Sequence, residues 1–448
     1  MTLQEALALI EELRRQNASL REENARLRER IEELERVAAR QAAPFRRREK
    51  KKVPPEQKKR PGRKGGHYGV SRARPAHVDE RIDVPLDACP RCGGEVSDRT
   101  WVQQFIEDLP PVRPHVTELW TCVARCRACG EVRSAHPRQV STAQGAAGVH
   151  LGARALGLAS TLKNQLGLTA SKVCQVLQQL GGLSLSPGGL LKALQRCSRK
   201  VDADYQQLVQ SVRTAPAVFA DETSWWVDGP GWWLWVFTTP ETTIYHVDQS
   251  RGSQVVLEML GEDYPGMLVS DCLASYDPPR YRKHKCIAHH LRALKEKARL
   301  LADRGKNSTY LTEWKVLLKD VMHTWREVPH FSPEQFAAMA VELHRRINRL
   351  LERSPPEAEE VAFRNRLAKQ RNHLLGCLGE PAAEPTNNRA ERALRPAVIA
   401  RKLSCGNRTK RGRDAWQILT SLAATCQQRG HDFADYLAAR LLLSPHAG

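Results

Sequence analysis

Two aspartates and a glutamate, far apart in the chain, are the residues best suited to chemistry. Val218-Phe219-Ala220 is a short apolar run that delivers Asp221 at its end, and Gly266-Met267-Leu268-Val269-Ser270 delivers Asp271 in the same way. Carboxylates at the ends of neighbouring strands can share divalent cations, whose hard character suits oxygen ligands. Glu391, within TNNRAERALRP over 386–396, is the best candidate for a third acid. Two magnesium ions about 3.5–4 Å apart would stabilise both the attacking and the leaving oxygen of a phosphodiester displacement. Each acid also has a plainer reading. Asp221 and Asp271 could close Asx-turns, and Asn388 with Glu391 has the spacing of a helix capping box.

The stretch around the aspartates reads as strand, hairpin, strand, strand, helix, strand. Asp228-Gly229-Pro230-Gly231 is a turn signal. Trp233–Thr239 and Thr242–Val247 are rich in aromatic and β-branched residues, as strands are. Ser253–Leu260 has apolar residues at helical spacing. Trp233 and Trp235 are expected in the sheet core, whereas Trp225 and Trp226, at a hairpin tip near Asp221, could stack on DNA. Residues 280–298 contain Cys286, His289, His290 and Arg292, a looser set than a paired metal motif. Residues 386–413 hold nine Lys/Arg and one acid, Glu391. On a helix Asn387 and Asn388 would share its face, with Arg392 beside it, and these three with Arg292 and Arg395 are candidates to contact DNA. Arg395 lies four residues on, but Pro396 disfavours helix there.

Four segments, DETSWWVDGPGWWLWV, LVSDCLASYD, KCIAHHLRALKE and NNRAERALRPAVIARKLSCGNRTKRGRDAWQILTSLAATCQQRG, resemble successive motifs of the insertion sequence sixty-six family of bacterial transposases. The chain departs from that pattern at Cys272-Leu273, Ile287 and Cys405. The resemblance implies a DDE transposase with a ribonuclease-H-like core, in which Asp221, Asp271 and Glu391 form the catalytic triad and bind magnesium or manganese. It also implies that His289 or His290 and Arg292 help position the scissile phosphate. Terminal inverted repeats and target DNA are the implied partners, with other small proteins of the element. A degenerate copy that only binds DNA, or a nuclease without strand transfer, would carry many of the same elements.

The rest of the chain must position and deliver this site. With 448 residues it is long enough for several domains, and its charge of +20 with a pI of about 9.7 calls for a polyanionic partner. No long apolar run suggests a signal peptide or membrane span, so a bacterial cytoplasmic, nucleoid-associated location is expected. Residues 1–43 read as a coiled-coil helix. Ile10, Asn17, Asn24 and Ile31 fall at a, and Leu13, Leu20, Leu27 and Leu34 at d, the pattern of a parallel dimer in which Glu23 meets Arg28 of the other copy. Residues 44–84 form a basic linker or arm. Its stretch 45–75 has thirteen Lys/Arg against two Glu, with Arg60, Arg63 and Lys64 in RPGRKGG placed to enter a minor groove.

Residues 85–135 carry Cys89 and Cys92, then Cys126 and Cys129, two CxxC pairs each followed by glycine. Four thiolates suit a structural zinc ion, and Trp101, Phe105 and Trp120 are expected to fill a small core. Residues 136–211 are helical, compatible either with a helix-turn-helix or with a packing subdomain. The fold class expected is multidomain α/β. The catalytic core occupies 212–300 and resumes at 381–413 with the glutamate helix. A helical insertion over 301–380 separates the two parts, and helices close the chain over 414–448. Deleting residues 3–37 should halve the solution mass of the DNA-free protein, measured by light scattering; an unchanged mass per particle contradicts the zipper.

Overall fold

The structure is a computed structural model and describes residues 15–20, 23, 24, 27, 73–110, 112–141, 149–278 and 280–442. The chain divides into two units, Met1–Val112 and Arg113–Gly448. In the first, residues 15–20 are helical and the Asn24 amide donates to the Leu20 carbonyl at 3.0 Å. Leu20 and Leu27 are exposed. Ile10, Leu13, Arg28, Ile31 and Leu34 lie outside the described residues, as do Arg60, Arg63 and Lys64.

Each cysteine pair sits in a tight turn of its own unit. In the first unit the Cys89 N–H donates to the Gly94 carbonyl at 2.9 Å, and Gly93 adopts a φ of 74°. In the second unit, β1 (Val123–Cys126) pairs antiparallel with β2 (Gly130–Arg133), and Gly130 has a φ of 79°. Glycine is the residue that enters this left-handed region without strain, which explains its place after each pair. Trp101, Phe105 and Trp120 do not fill a core: Trp101 is 71% exposed and Trp120 93%. Residues 99–110 and 112–122 lack regular structure, so they offer no second surface to cover the rings.

A mixed sheet forms the middle of the second unit. Its strands are β3 (Ala217–Trp225), β4 (Trp232–Thr238), β5 (Thr243–Asp248), β6 (Met267–Ser270) and β7 (Arg282–Lys285). The order is β5-β4-β3-β6-β7. β4 runs antiparallel to both β5 and β3, and β6 and β7 run parallel to β3. The apolar run alone would end β3 at Asp221; the strand instead continues to Trp225. The aromatic β4 pairs with it as far as Trp225 opposite Trp232, although the parallel pairing with β6 stops at Phe219 opposite Val269.

Helices cover both faces. Before the sheet come α1 (Ala153–Ser160), α2 (Ala170–Gly181), α3 (Pro187–Lys200) and α4 (Asp202–Arg213). Between β5 and β6 lies α5 (Ser253–Leu260), with the bounds its periodicity predicts. After β7 follow α6 (Ile287–Ala302), α7 (Thr309–Glu327), α8 (Pro333–Glu352) and α9 (Ala358–Lys369). The chain closes with α10 (Asn388–Ser404), α11 (Lys410–Gln428) and α12 (Phe433–Leu441). Strand side chains alternate between faces. Val218 and Ala220 pack with α1–α5, α11 and α12, whereas Ala217 and Phe219 pack with α6–α10.

The helices of 153–213 are thus part of one core with the sheet. Leu190, Ala193, Leu194 and Cys197 of α3 are buried in it, and the Ser186 hydroxyl caps the helix by accepting from the Gly189 N–H at 3.1 Å. Helix α10 runs through Pro396. The ring is exposed, and burial of Ala390, Leu394, Ala397 and Val398 on the opposite face outweighs the lost N–H. No helix among the described residues is long and apolar enough to cross a membrane.

The free edge of β5 is closed by side chains of α11. The N–H groups of Thr243, Tyr245 and Val247 donate to Thr425 Oγ1 at 3.1 Å, Ser421 Oγ at 2.8 Å and Gln417 Oε1 at 3.1 Å. These three residues are one helical turn apart, so one face of α11 satisfies alternate donors of the strand. An edge left open would template association with other chains. Ser421→Ala should leave the Tyr245 N–H buried without an acceptor and cost about 1–3 kcal/mol, read from the urea midpoint; an unchanged midpoint contradicts the edge-capping role.

Candidate active site

Asp221 lies on β3 two residues beyond the last parallel pair with β6, and Asp271 follows β6 directly. Both therefore stand where the parallel strands stop pairing. Asp221 Oδ1 accepts from the Glu222 N–H at 3.0 Å. Asp271 Oδ1 accepts from the Leu273 N–H at 2.8 Å, an Asx-turn that fixes one oxygen of the carboxylate.

Glu391 reaches the same end of the sheet on the first turn of α10. The residue that precedes the helix is Asn387, whose side chain makes no capping bond, so the capping-box geometry is absent. Asn387 is fully buried instead. Its amide donates to the Ala220 carbonyl at 2.7 Å, immediately before Asp221, and its own N–H donates to Cys286 Sγ at 3.1 Å. This amide fastens the glutamate helix to the aspartate strand. Glu391 Oε1 is paired with the Arg292 guanidinium at 2.5 Å and lies 3.8 Å from His289 Nε2. Cys286 starts α6, and one face of that helix presents both partners. His290 points elsewhere: it is buried, its Nε2 lies 3.7 Å from Cys272 Sγ, and its Nδ1 accepts from Arg366 Nε at 3.4 Å.

Burial and, after it, crowded negative charge set the electrostatics of this end. Burial, then the charges of Glu222, Asp271 and Glu391, push the Asp221 carboxyl well above the usual carboxylate range. Glu222 is raised too, by burial and then by Asp271. It is held by Arg251 at 2.9 Å and by the Tyr276 hydroxyl, which donates to its Oε2 at 2.8 Å. Burial and then Arg292 lower His289, while burial pushes His290 down to about 3 and His284 to about 4. In the loop after Asp271, burial alone would raise Asp277. Lys285, fully buried, and Lys369, exposed, each 3.2 Å away, outweigh that and lower it.

Glu222, Arg251, Tyr276 and Lys285 escape the sequence reading. The only signal for Glu222 is its adjacency to Asp221, and strand alternation turns it to the other face. Asn388, Arg392 and Arg395 are exposed on α10. Trp225 is not free to stack on DNA. Its ring packs on Trp416 with centroids 4.6 Å apart, and its Nε1–H donates to Asn407 Oδ1 at 2.8 Å. Trp235 is fully buried as expected. In the cysteine turns, backbone N–H groups of Arg91 and Cys92 lower the Cys89 thiol, and those of Cys129 and Ala128 lower Cys126. Among the described residues, no three His, Cys, Asp or Glu side chains converge tightly enough to hold one metal ion; Glu391 is turned towards Arg292.

The profile of the family described as "Transposase IS66 family" matches residues 148–415, a span that includes the whole five-stranded sheet and all three acids. The chain belongs to the IS66 family of transposases. The IS66 match begins after both cysteine pairs. Two relatives come from Sinorhizobium fredii (strain NBRC 101917 / NGR234). The chain is 25% identical to the uncharacterized protein y4qI over 273 residues, covering 53% of this chain and 49% of that one. It is 35% identical to the uncharacterized protein y4jO over 82 residues, 18% of this chain and 26% of that one. The chain thus spans about half and about a quarter of the length of these relatives.

A carboxyl whose pKa is raised by folding destabilises the fold as pH rises from its unfolded value through its folded one. Asp221→Asn should therefore raise the melting temperature in chelator near pH 8, and the gain should shrink as pH is lowered towards about 4. A variant that melts below wild type at high pH contradicts the crowding of charge.

Proposed function

We propose that the protein is the transposase of an insertion sequence, binding the element's terminal inverted repeats and cutting and joining DNA by a DDE-type reaction. The observation that carries this reading is the meeting of Asp221, Asp271 and Glu391 at one end of the sheet, with Asn387 tying the glutamate helix to the aspartate strand. Three antiparallel strands followed by two parallel ones support a ribonuclease-H-like core. The chemistry of the donor set also suits a divalent cation. Its oxygens are hard ligands, and the Asp221 carboxyl is raised by burial and then by neighbouring negative charge, which a cation would offset.

Asp221, Asp271 and Glu391 would hold magnesium or manganese, which when bound supplies a stabilised attacking oxygen and neutralises charge on the scissile phosphate. The chain's own residues do the rest. The Glu222 and Leu273 N–H groups orient the two aspartates. The Arg292 side chain is 57% exposed and long enough to shift from Glu391 to a phosphate oxygen. Asn388, Arg392 and Arg395 offer phosphate contacts along α10, and the arm with Arg60, Arg63 and Lys64 adds sequence-independent affinity. Zinc is the metal proposed for the cysteine turns, supported by their lowered first thiols and left-handed glycines. Dimerisation through residues 1–43 would bring two sites to a pair of element ends, with other proteins of the element as further partners.

The experiment is Glu391→Gln compared with wild type for folding, DNA binding and magnesium-dependent cleavage of a terminal-repeat duplex. Cleavage should fall by orders of magnitude while fold and binding persist. A variant that cuts at near wild-type rate removes Glu391 from the site and overturns the DDE reading.

A further inference from the structure

Of the five tryptophans between 225 and 235, only Trp226 is exposed, at 45%. Trp225, Trp232 and Trp235 are buried, and Trp233 lies beneath the Arg251 guanidinium at 4.2 Å. Isolated exposed aromatics are common, so exposure alone decides nothing. The backbone around Trp226 is nevertheless clamped. Its carbonyl accepts from the Asn407 N–H at 2.9 Å, and the Asp228 N–H donates to the Asn407 carbonyl at 3.1 Å. Gly406 has a φ of 82°, and a Cβ there would sit 2.4 Å from the Trp226 carbonyl oxygen. Trp226 is therefore a rigidly mounted indole whose side chain faces water.

Its setting is cationic and leads back to the acids. Helix α10 starts beside Asp221, through Asn387 and Ala220, and further along Arg401 donates to the Ser224 hydroxyl at 2.8 Å. The helix ends in the loop that clamps Trp226. Its exposed stripe is Asn388, Arg392, Arg395, Ile399 and Lys402, spaced by four, three, four and three residues, and holds no acid. Beyond it Arg408, Lys410 and Arg411 are exposed, against one acid at the tip, Asp228. Along an extended strand, Trp226 lies about 16 Å past Asp221, so a bound strand can reach from the acids to the indole.

Given the DNA-cleaving function proposed above, on which this rests, we infer that Trp226 stacks on an unpaired base of the strand whose phosphate lies at the acids. The α10 stripe carries the intervening phosphates. An intact duplex offers no free base face at its side, so the partner is locally single-stranded DNA. Stacking on an exposed aromatic needs no particular base.

The test uses full-length protein, wild type, Trp226→Ala and Trp226→Phe, with a labelled single strand of about 20 nucleotides and a duplex of the same length. Fluorescence anisotropy at one salt concentration gives each affinity, and thermal melting checks the fold. Trp226→Ala should bind the single strand about tenfold more weakly, with duplex affinity and melting temperature unchanged, and Trp226→Phe should regain most of the loss. Unchanged single-strand binding overturns the inference, as does equal loss on both DNAs. So does a change in particle mass without a change in single-strand affinity, which marks a protein contact. Wild type that binds duplex but not single strands overturns this inference alone; wild type that binds neither overturns the proposed function as well.

Discussion

Carboxylates repel one another, and this protein gathers Asp221, Glu222, Asp271 and Glu391 at one end of one sheet. Much of the local structure is the counterweight. Glu222 is drawn to the opposite face, where Arg251 and the Tyr276 hydroxyl hold it. Glu391 is paired with Arg292. The loop that leaves Asp271 is pinned through Asp277 to the buried Lys285 and to Lys369. Among the described residues Asp221 has no cation of comparable closeness, and burial with its charged neighbours raises its carboxyl. The surrounding framework holds the acids in this arrangement.

That framework is a sheet with both faces covered and its β5 edge closed. Alternate residues of β3 enter opposite cores, so the strand that carries Asp221 is fixed from both sides. The Asn387 amide adds a direct bond between the glutamate helix and that strand. Because Asn387 is buried, the bond is shielded from water and strengthened accordingly. Along α11, Gln417, Ser421 and Thr425 fasten the far side of the sheet by bonding the N–H groups of β5.

Much of this was legible in the residues. Helix α5 has the bounds its periodicity gives, Asp271 follows its apolar strand, and Ser186-Pro187 opens α3. These features are local, set by side-chain spacing and backbone chemistry. What escaped depends on partners distant in sequence. β3 outruns its apolar core because β4 pairs with it to Trp225, and α10 passes Pro396 because its other face is buried. Helical spacing puts Asn387 with Asn388 on the DNA-facing surface and cannot say which of two neighbours turns inward; the structure buries Asn387. Glu222 looks like any polar strand residue until Arg251 and Tyr276 are seen around it. Trp101, Phe105 and Trp120 have core-like side chains but no regular structure to bury them.

The central claim is that the crowded acids form a shared cation site, and manganese binding tests it without DNA or turnover. Titration of full-length protein with Mn2+, followed by electron paramagnetic resonance, should show about two ions bound per chain. In Asp271→Asn that binding should be lost or greatly weakened while the fold is retained. Wild-type protein that leaves added manganese free, or an Asp271→Asn variant that binds it equally well, would contradict the account.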